Sequence, residues 1–349
     1  MGAYAAGQRG EVTVMTHVRH LKQTLQFAAI AMALRVAVPA FAHHSQAAFD
    51  QSREVTIEGT VHRLDWKNPH IYLIVKTRDK DGGTRLQQVE GLAVTQSEVA
   101  GLDRAALKPG THVLVRVNPN RNAEGRTVRG LDVVTTADGK VHPFYRQAAA
   151  QPSLQPARSL AGRWAPSLAE TGKVFGATRS AWKFTAASIP GNGAGACEIE
   201  PIPFLTAINE LRMIDVRANR VLFRFDNSGD KAVREVYLDQ KQHPAGIKPS
   251  LFGHSIGHWE GETLVIDTVG YKPHASGLFS HIPAGARKHT VERLTLTPDH
   301  RQLRYELTME DPDFLAEPAT LSMLWDHRPD LDFAKVPCDK EVSDRYLAD

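Results

Sequence analysis

Seven histidines fall between positions 243 and 300, half of the fourteen that follow position 42. The densest stretch is Gly253-His254-Ser255-Ile256-Gly257-His258-Trp259-Glu260-Gly261-Glu262. In a β-strand, side chains two apart share a face, so His254 and His258 point the same way as Ile256. Beyond the Glu-Gly-Glu turn, Asp267 is in phase with Val265 and Val269. Further on, Glu292 is in phase with Leu294 and Leu296. Carboxylates on apolar faces are costly unless paired. The phase predicts that His254, His258, Asp267 and Glu292 line one internal ligand-binding pocket, and Trp259, next to His258, is expected among its ligand-binding residues. Such a set binds a metal, moves protons as general acid and base, or hydrogen-bonds a polar ligand. A self-satisfied network that fixes hairpin register is the plain alternative. No individual residue is assigned a catalytic role.

A second group lies near the start. Pro39-Ala40-Phe41-Ala42 ends in the small-x-small pattern of a signal peptidase site, so the processed chain starts at His43-His44-Ser45. A terminal amine plus the imidazole of His43 chelates Cu(II), with His44 or His70 assisting. Imidazole suits copper, which tops the divalent affinity order. His70 follows Trp66-Lys67-Asn68-Pro69 at a turn. A turn histidine bonded to backbone, and a disordered processed end, are the plain alternatives. Copper is the one cofactor these residues suggest.

Cys197 and Cys338 are the two cysteines of the chain and fit no zinc spacing. In an oxidising compartment they are expected to form a disulfide. Other templates fail. Gly191-Asn192-Gly193 lacks the Lys-Ser/Thr of a phosphate-binding loop, and no haem attachment pair is present.

These residues need elements to position them. The chain has 349 residues, which predicts two domains. Residues 1–42 read as a signal peptide with a pre-leader extension. His17, Arg19, His20 and Lys22 precede a short apolar run, 24–34, and Met15 is a candidate start. That run is too short to span a bilayer, so no membrane span is expected after processing, and the location is periplasmic or secreted. Removing residues 1–42 leaves 38 basic and 38 acidic side chains. That balance gives no electrostatic footprint for nucleic acid.

Residues 43–146 show short strands with turn signals in the order strand-strand-strand-helix-strand-strand. The strands are expected at 55–61, 71–75, 86–90, 112–117 and 127–134, with a helix within 94–107. This is the order of an OB-like barrel. Residues 147–159, rich in Ala and Gln, read as a linker. Residues 160–349 carry roughly eight alternating segments, including 181–186, 211–216 and 302–309, and no long helix. The fold class is all-β: a small OB-like barrel, then a larger antiparallel β-barrel or sandwich, with room for one small ligand in a barrel.

Several motifs together resemble a family. They are Ala42-His43-His44-Ser45, the 55–61 strand, Trp66-Lys67-Asn68-Pro69-His70 and Leu107-Lys108-Pro109-Gly110. They look like a widespread family of exported Gram-negative bacterial proteins of unknown function. The second half is similar to the C-terminal part often attached to it. Its marks are His243-Pro244, the Gly253–Gly261 run, Asp267-Thr268, Val291-Glu292-Arg293 and Asp311-Pro312. The resemblance implies export and a two-part β architecture, and it carries no activity. The expected function is a non-enzymatic exported binding protein whose partner is a small ligand or an envelope protein. The alternatives are a hydrolase or isomerase using the His/Asp/Glu set, and a structural envelope module.

Overall fold

Strand alternation in 55–143 builds the first barrel. The computed structural model describes residues 48–78, 81–122, 126–145, 154–167, 182–183, 197, 199–207, 211–226, 232–279, 282–333 and 335–344. The expected leader, with His43 and His44, lies outside the described residues. The first strands are β1 (Val55–Asp65), β2 (Tyr72–Arg78), β3 (Thr84–Glu90), β4 (His112–Asn118), β5 (Thr127–Thr135) and β6 (Val141–Pro143). They run in the order β3-β2-β1-β4-β5-β6, and a parallel β3–β5 pairing closes β1 to β5 into a barrel. In β4 the alternation puts Val113, Val115 and Val117 inside with Val61, Leu73, Val75 and Val133. Long β1 serves both β2 and β4, with a register shift between Val61 and Arg63. Gly59 is required there, since a Cβ would come within 2.5 Å of the Lys76 carbonyl oxygen.

The expected helix after β3 is present but shorter. Helix α1 covers Val94–Val99, and Gly101 at φ +84° turns the chain into a single 3-10 turn at Arg104–Ala106. A left-handed residue cannot continue an α-helix.

The second barrel has nine strands. These are β7 (Gly162–Pro166), β8 (Arg212–Val216), β9 (Arg220–Phe225), β10 (Ala232–Tyr237), β11 (His254–Glu260), β12 (Thr263–Val269), β15 (His289–Leu296), β16 (Gln302–Glu310) and β17 (Ala319–His327). A hairpin of β13 (His274–Phe279) and β14 (Ile282–Ala284) stands between β12 and β15. An odd-numbered ring cannot close on antiparallel pairs alone, and here β10 and β11 pair in parallel. The 238–253 connection must therefore return along the barrel before β11 starts. It docks through Lys272 N–H on the Ser250 carbonyl, 2.8 Å. β16 follows its alternation, with Leu303, Tyr305, Leu307 and Met309 buried. Of the expected 181–186 strand, Trp182 and Lys183 are described and lie outside any strand; Trp182 packs into the core. Ala157, in the expected linker, also packs into this core.

Both barrels belong to one compact unit, residues 42–349. Contacts from α1 join them. Thr95 of α1 donates to the Asp226 carboxylate, and Val99 packs with Ala165 and Leu211. Residues 331–344 form a strap that follows the last strand. Leu331 and Phe333 pack against the Val99 cluster, Val336 against the first barrel's core, and Val342 against Tyr72 and Ile74. The Asn68 amide donates to the Val336 carbonyl at 2.8 Å and accepts from Val94 N–H at 3.0 Å. Lys67 meets Asp339 at 2.6 Å. The expected disulfide between Cys197 and Cys338 is formed and ties the strap to the segment before helix α2 (Phe204–Ala207); the strap ends in α3 (Lys340–Asp344).

Candidate functional site

The histidine-rich stretch separates onto the two faces of the second barrel. In β12 the core residues are Leu264 and Ile266, not Val265 and Val269. Asp267 therefore lies on the outer face, while Glu292 points inward with Thr290 and Leu294. The expected common pocket of His254, His258, Trp259, Asp267 and Glu292 does not form as a unit. Its premise was that the valines of β12 are the inward set. The strand is apolar on both faces, so its alternation does not tell inside from outside.

On the outer face three imidazoles and two carboxylates make a row. His254 starts β11, Asp267 is near the end of β12, His289 starts β15 and Glu310 ends β16. The return connection adds His243. His243 Nε2 meets Asp267 Oδ1 at 2.8 Å, and His289 Nε2 meets Asp267 Oδ2 at 3.0 Å. His243 Nδ1 and His254 Nδ1 are 2.9 Å apart. His289 Nδ1 lies 3.8 Å from Glu310. Tyr237 stacks on the His254 ring, with centroids 5.2 Å apart. Burial would raise the Asp267 carboxyl, but the two imidazole donors outweigh it and hold the group below the usual carboxylate range. Burial, and then the neighbouring His243, push His254 below the usual imidazole value.

The charges assign the protons. An ionised Asp267 can only accept, so His243 and His289 carry hydrogen on Nε2. One hydrogen lies between His243 Nδ1 and His254 Nδ1, and His254 Nε2 makes no hydrogen bond among the described residues.

Inside the barrel, Glu292 is 1% exposed and forms a two-pronged ion pair with Arg234, which is 2% exposed. Arg234 also donates to Ser255 at 3.1 Å and Thr268 at 2.8 Å, and Tyr305 donates to Glu292 at 2.8 Å. Lys288 is buried nearby over the Tyr271 ring, donates to the Ile202 and Gly277 carbonyls, and is pushed down to about 7 by burial.

His258 and Trp259 sit on the exposed β11–β12 hairpin, with His258 on Glu260 at 3.2 Å. His258 and Trp259 make none of the row's bonds among the described residues. In the first barrel His70 Nδ1 donates to the Gly91 carbonyl at 2.8 Å, the bond that a turn histidine makes. Glu90 beside it accepts from Tyr145 at 2.9 Å and Tyr72 at 3.2 Å. Among the described residues, no group of three or more His, Cys, Asp or Glu side chains could hold a metal ion.

Some members of these groups had sequence signals. His243 and His289 stood out as part of the dense histidine run, without a phase argument. Arg234 alternates with buried Ala232 and Val236 in β10, the phase logic that predicts a buried Glu292. Gly253-His254-Ser255-Ile256-Gly257 also fits the Gly-x-Ser-x-Gly pattern of hydrolase elbows. That pattern needs an exposed serine on a strand-to-helix turn. Ser255 is instead inside β11, 1% exposed and held by Arg234 and Thr268.

The molecule is thus an all-β protein of two barrels, the first closed by five strands in OB-like order and the second by nine. Residues 31–129 match a family of unknown function, DUF6152. The match spans the His43-His44 and Asn68-Pro69-His70 motifs and stops within the first barrel. A search of curated proteins returns no match. No helix among the described residues is long and apolar enough to cross a membrane.

Proposed function

We propose that the protein is an exported, periplasmic binding protein whose ligand meets the outer-face row His254–His243–Asp267–His289. The observation that carries this reading is the row itself. Four polar side chains from three strands and one connection are locked in one chain of bonds, and the chain ends at an open imidazole nitrogen. Half-buried, oriented polar groups on rigid strands are what a binding site needs, because little ordering is left to pay on association. The Cys197–Cys338 bond and the leader read at 15–42 support an oxidising compartment. The Cu(II) chelate expected at His43 and His44, assisted by His70, is kept in this reading as a second, terminal site.

Native mass spectrometry of protein recovered from the periplasm of an exporting host tests this. A bound mass is expected on the wild type and is expected to be lost in His254→Ala and in Asp267→Asn, with both variants folded by circular dichroism. A bound mass that persists in both variants, or a wild type that carries none, overturns the proposal.

A further inference from the structure

The contact between His243 and His254 is unusual in kind. Two Nδ1 atoms face each other at 2.9 Å, and only one proton fits between them. The ring of His243 is fixed from behind, because its Nε2–H is committed to Asp267, which His289 holds in turn. A carboxylate on the far nitrogen of an imidazole is the usual support of a metal-ligating histidine: it sets the tautomer and raises ligand basicity. The ring of His254 is fixed by the Tyr237 stack and by its place in β11. Both rings are partly exposed at the barrel surface.

We infer that the gap between His243 Nδ1 and His254 Nδ1 is a two-imidazole site for a divalent transition-metal ion of tetragonal preference, Cu(II) before Zn(II). This deepens the proposed function and rests on the row being the binding face. The affinity order carries the choice of ion, and the separation is compatible with it. Metal–imidazole bonds of ~2.0–2.1 Å span 2.9 Å at an angle of ~90°, the cis angle of a square-planar or tetragonal centre. A tetrahedral ion with the same bonds wants its nitrogens ~3.3 Å apart. Copper also tops the affinity order for nitrogen sites. The ion displaces the one proton held between the two Nδ1 atoms, which leaves to His254 Nε2 or to solvent. Each ring then binds through Nδ1 with its hydrogen on Nε2, and His243 keeps its bond to Asp267. Two protein ligands leave the other positions to water or to a ligand from outside, so the ion is exchangeable.

The test is Cu(II) titration of the full chain with both terminal histidines replaced, His43→Ala/His44→Ala, which removes the other expected copper chelate. One equivalent of Cu(II) is expected, with two imidazole nitrogens seen by electron paramagnetic resonance. His254→Gln and His243→Gln in that background are each expected to lose that signal. Asp267→Asn is expected to weaken affinity by ~10–100-fold, because it removes the carboxylate behind His243. Zn(II) is expected to bind more weakly than Cu(II). A background protein that binds no Cu(II), or glutamine variants that bind it unchanged, overturns the inference. If Cu(II) fails while the co-purified mass is still lost in His254→Ala, the ion is wrong and the binding face stands. If that mass is also indifferent to His254, both fall.

Discussion

Arg234 and Glu292 hold full charges at 2% and 1% exposure, and every nitrogen of the guanidinium has a partner. Burying two ions costs several kcal/mol each, which the pairing offsets only while both are present. Arg234→Met is therefore expected to destabilise the protein by about 3–5 kcal/mol, since it strands Glu292 in the core. Adding Glu292→Leu is expected to restore most of that loss. Urea denaturation at pH 7 reads both; a double variant no more stable than the single one would mean that packing, not charge, is at stake. The inward position of Glu292 was legible from its phase with Leu294. The outward position of Asp267 was not, because Leu264, Val265 and Ile266 are all apolar and all buried. Alternation is a signal only where one face is wet. The outer side of β12 is half-covered at its end by the connection that carries His243, a long-range event that no local window contains.

At the scale of elements, the five strands and helix of the first barrel follow their turn signals closely, and β16 follows its alternation residue by residue. Short β7, the parallel β10–β11 pair and the strap were not legible. Their partners lie far away in sequence, and Gly162–Pro166 is too short to show a period. The Trp66–His70 turn has a structural task that the motif alone did not reveal. Asn68 reads two backbone groups at once, Val94 N–H from α1 and the Val336 carbonyl from the strap. Its loss leaves a buried donor and acceptor unmatched, at about 1–3 kcal/mol. Asn68→Ala is expected to lower stability by that amount and to speed hydrogen exchange at Val94. Unchanged exchange at Val94 would show that the amide does not hold the helix.

For the whole molecule, the Cys197–Cys338 bond closes a loop of 141 residues that contains strands β8 to β17. In the chain-entropy account such a loop is worth about 5 kcal/mol, and measured values for native bonds run at about 2–5. Cys197→Ser/Cys338→Ser is expected to fall in that range. α1 and the strap join the barrels through apolar contacts as well as through sulfur, so the oxidised protein is expected to unfold in one calorimetric transition. In the serine variant the transition is expected to move down and broaden as the strap loosens. Two resolved transitions already in the oxidised protein would mean that the barrels are energetically separate despite their contacts.

Lys67 and Asp339 meet across 272 positions. A ribosome adds about 5–20 residues per second, so roughly 14–54 s pass between the appearance of these two partners. From Pro143 to Val342 the first barrel has every strand it needs, yet the side of Tyr72 and Ile74 that Val342 covers stays bare. Time, rather than affinity, sets the exposure of that surface. A holdase that recognises a bare aromatic and aliphatic strand face has its longest opportunity there, and the opportunity ends when the strap arrives.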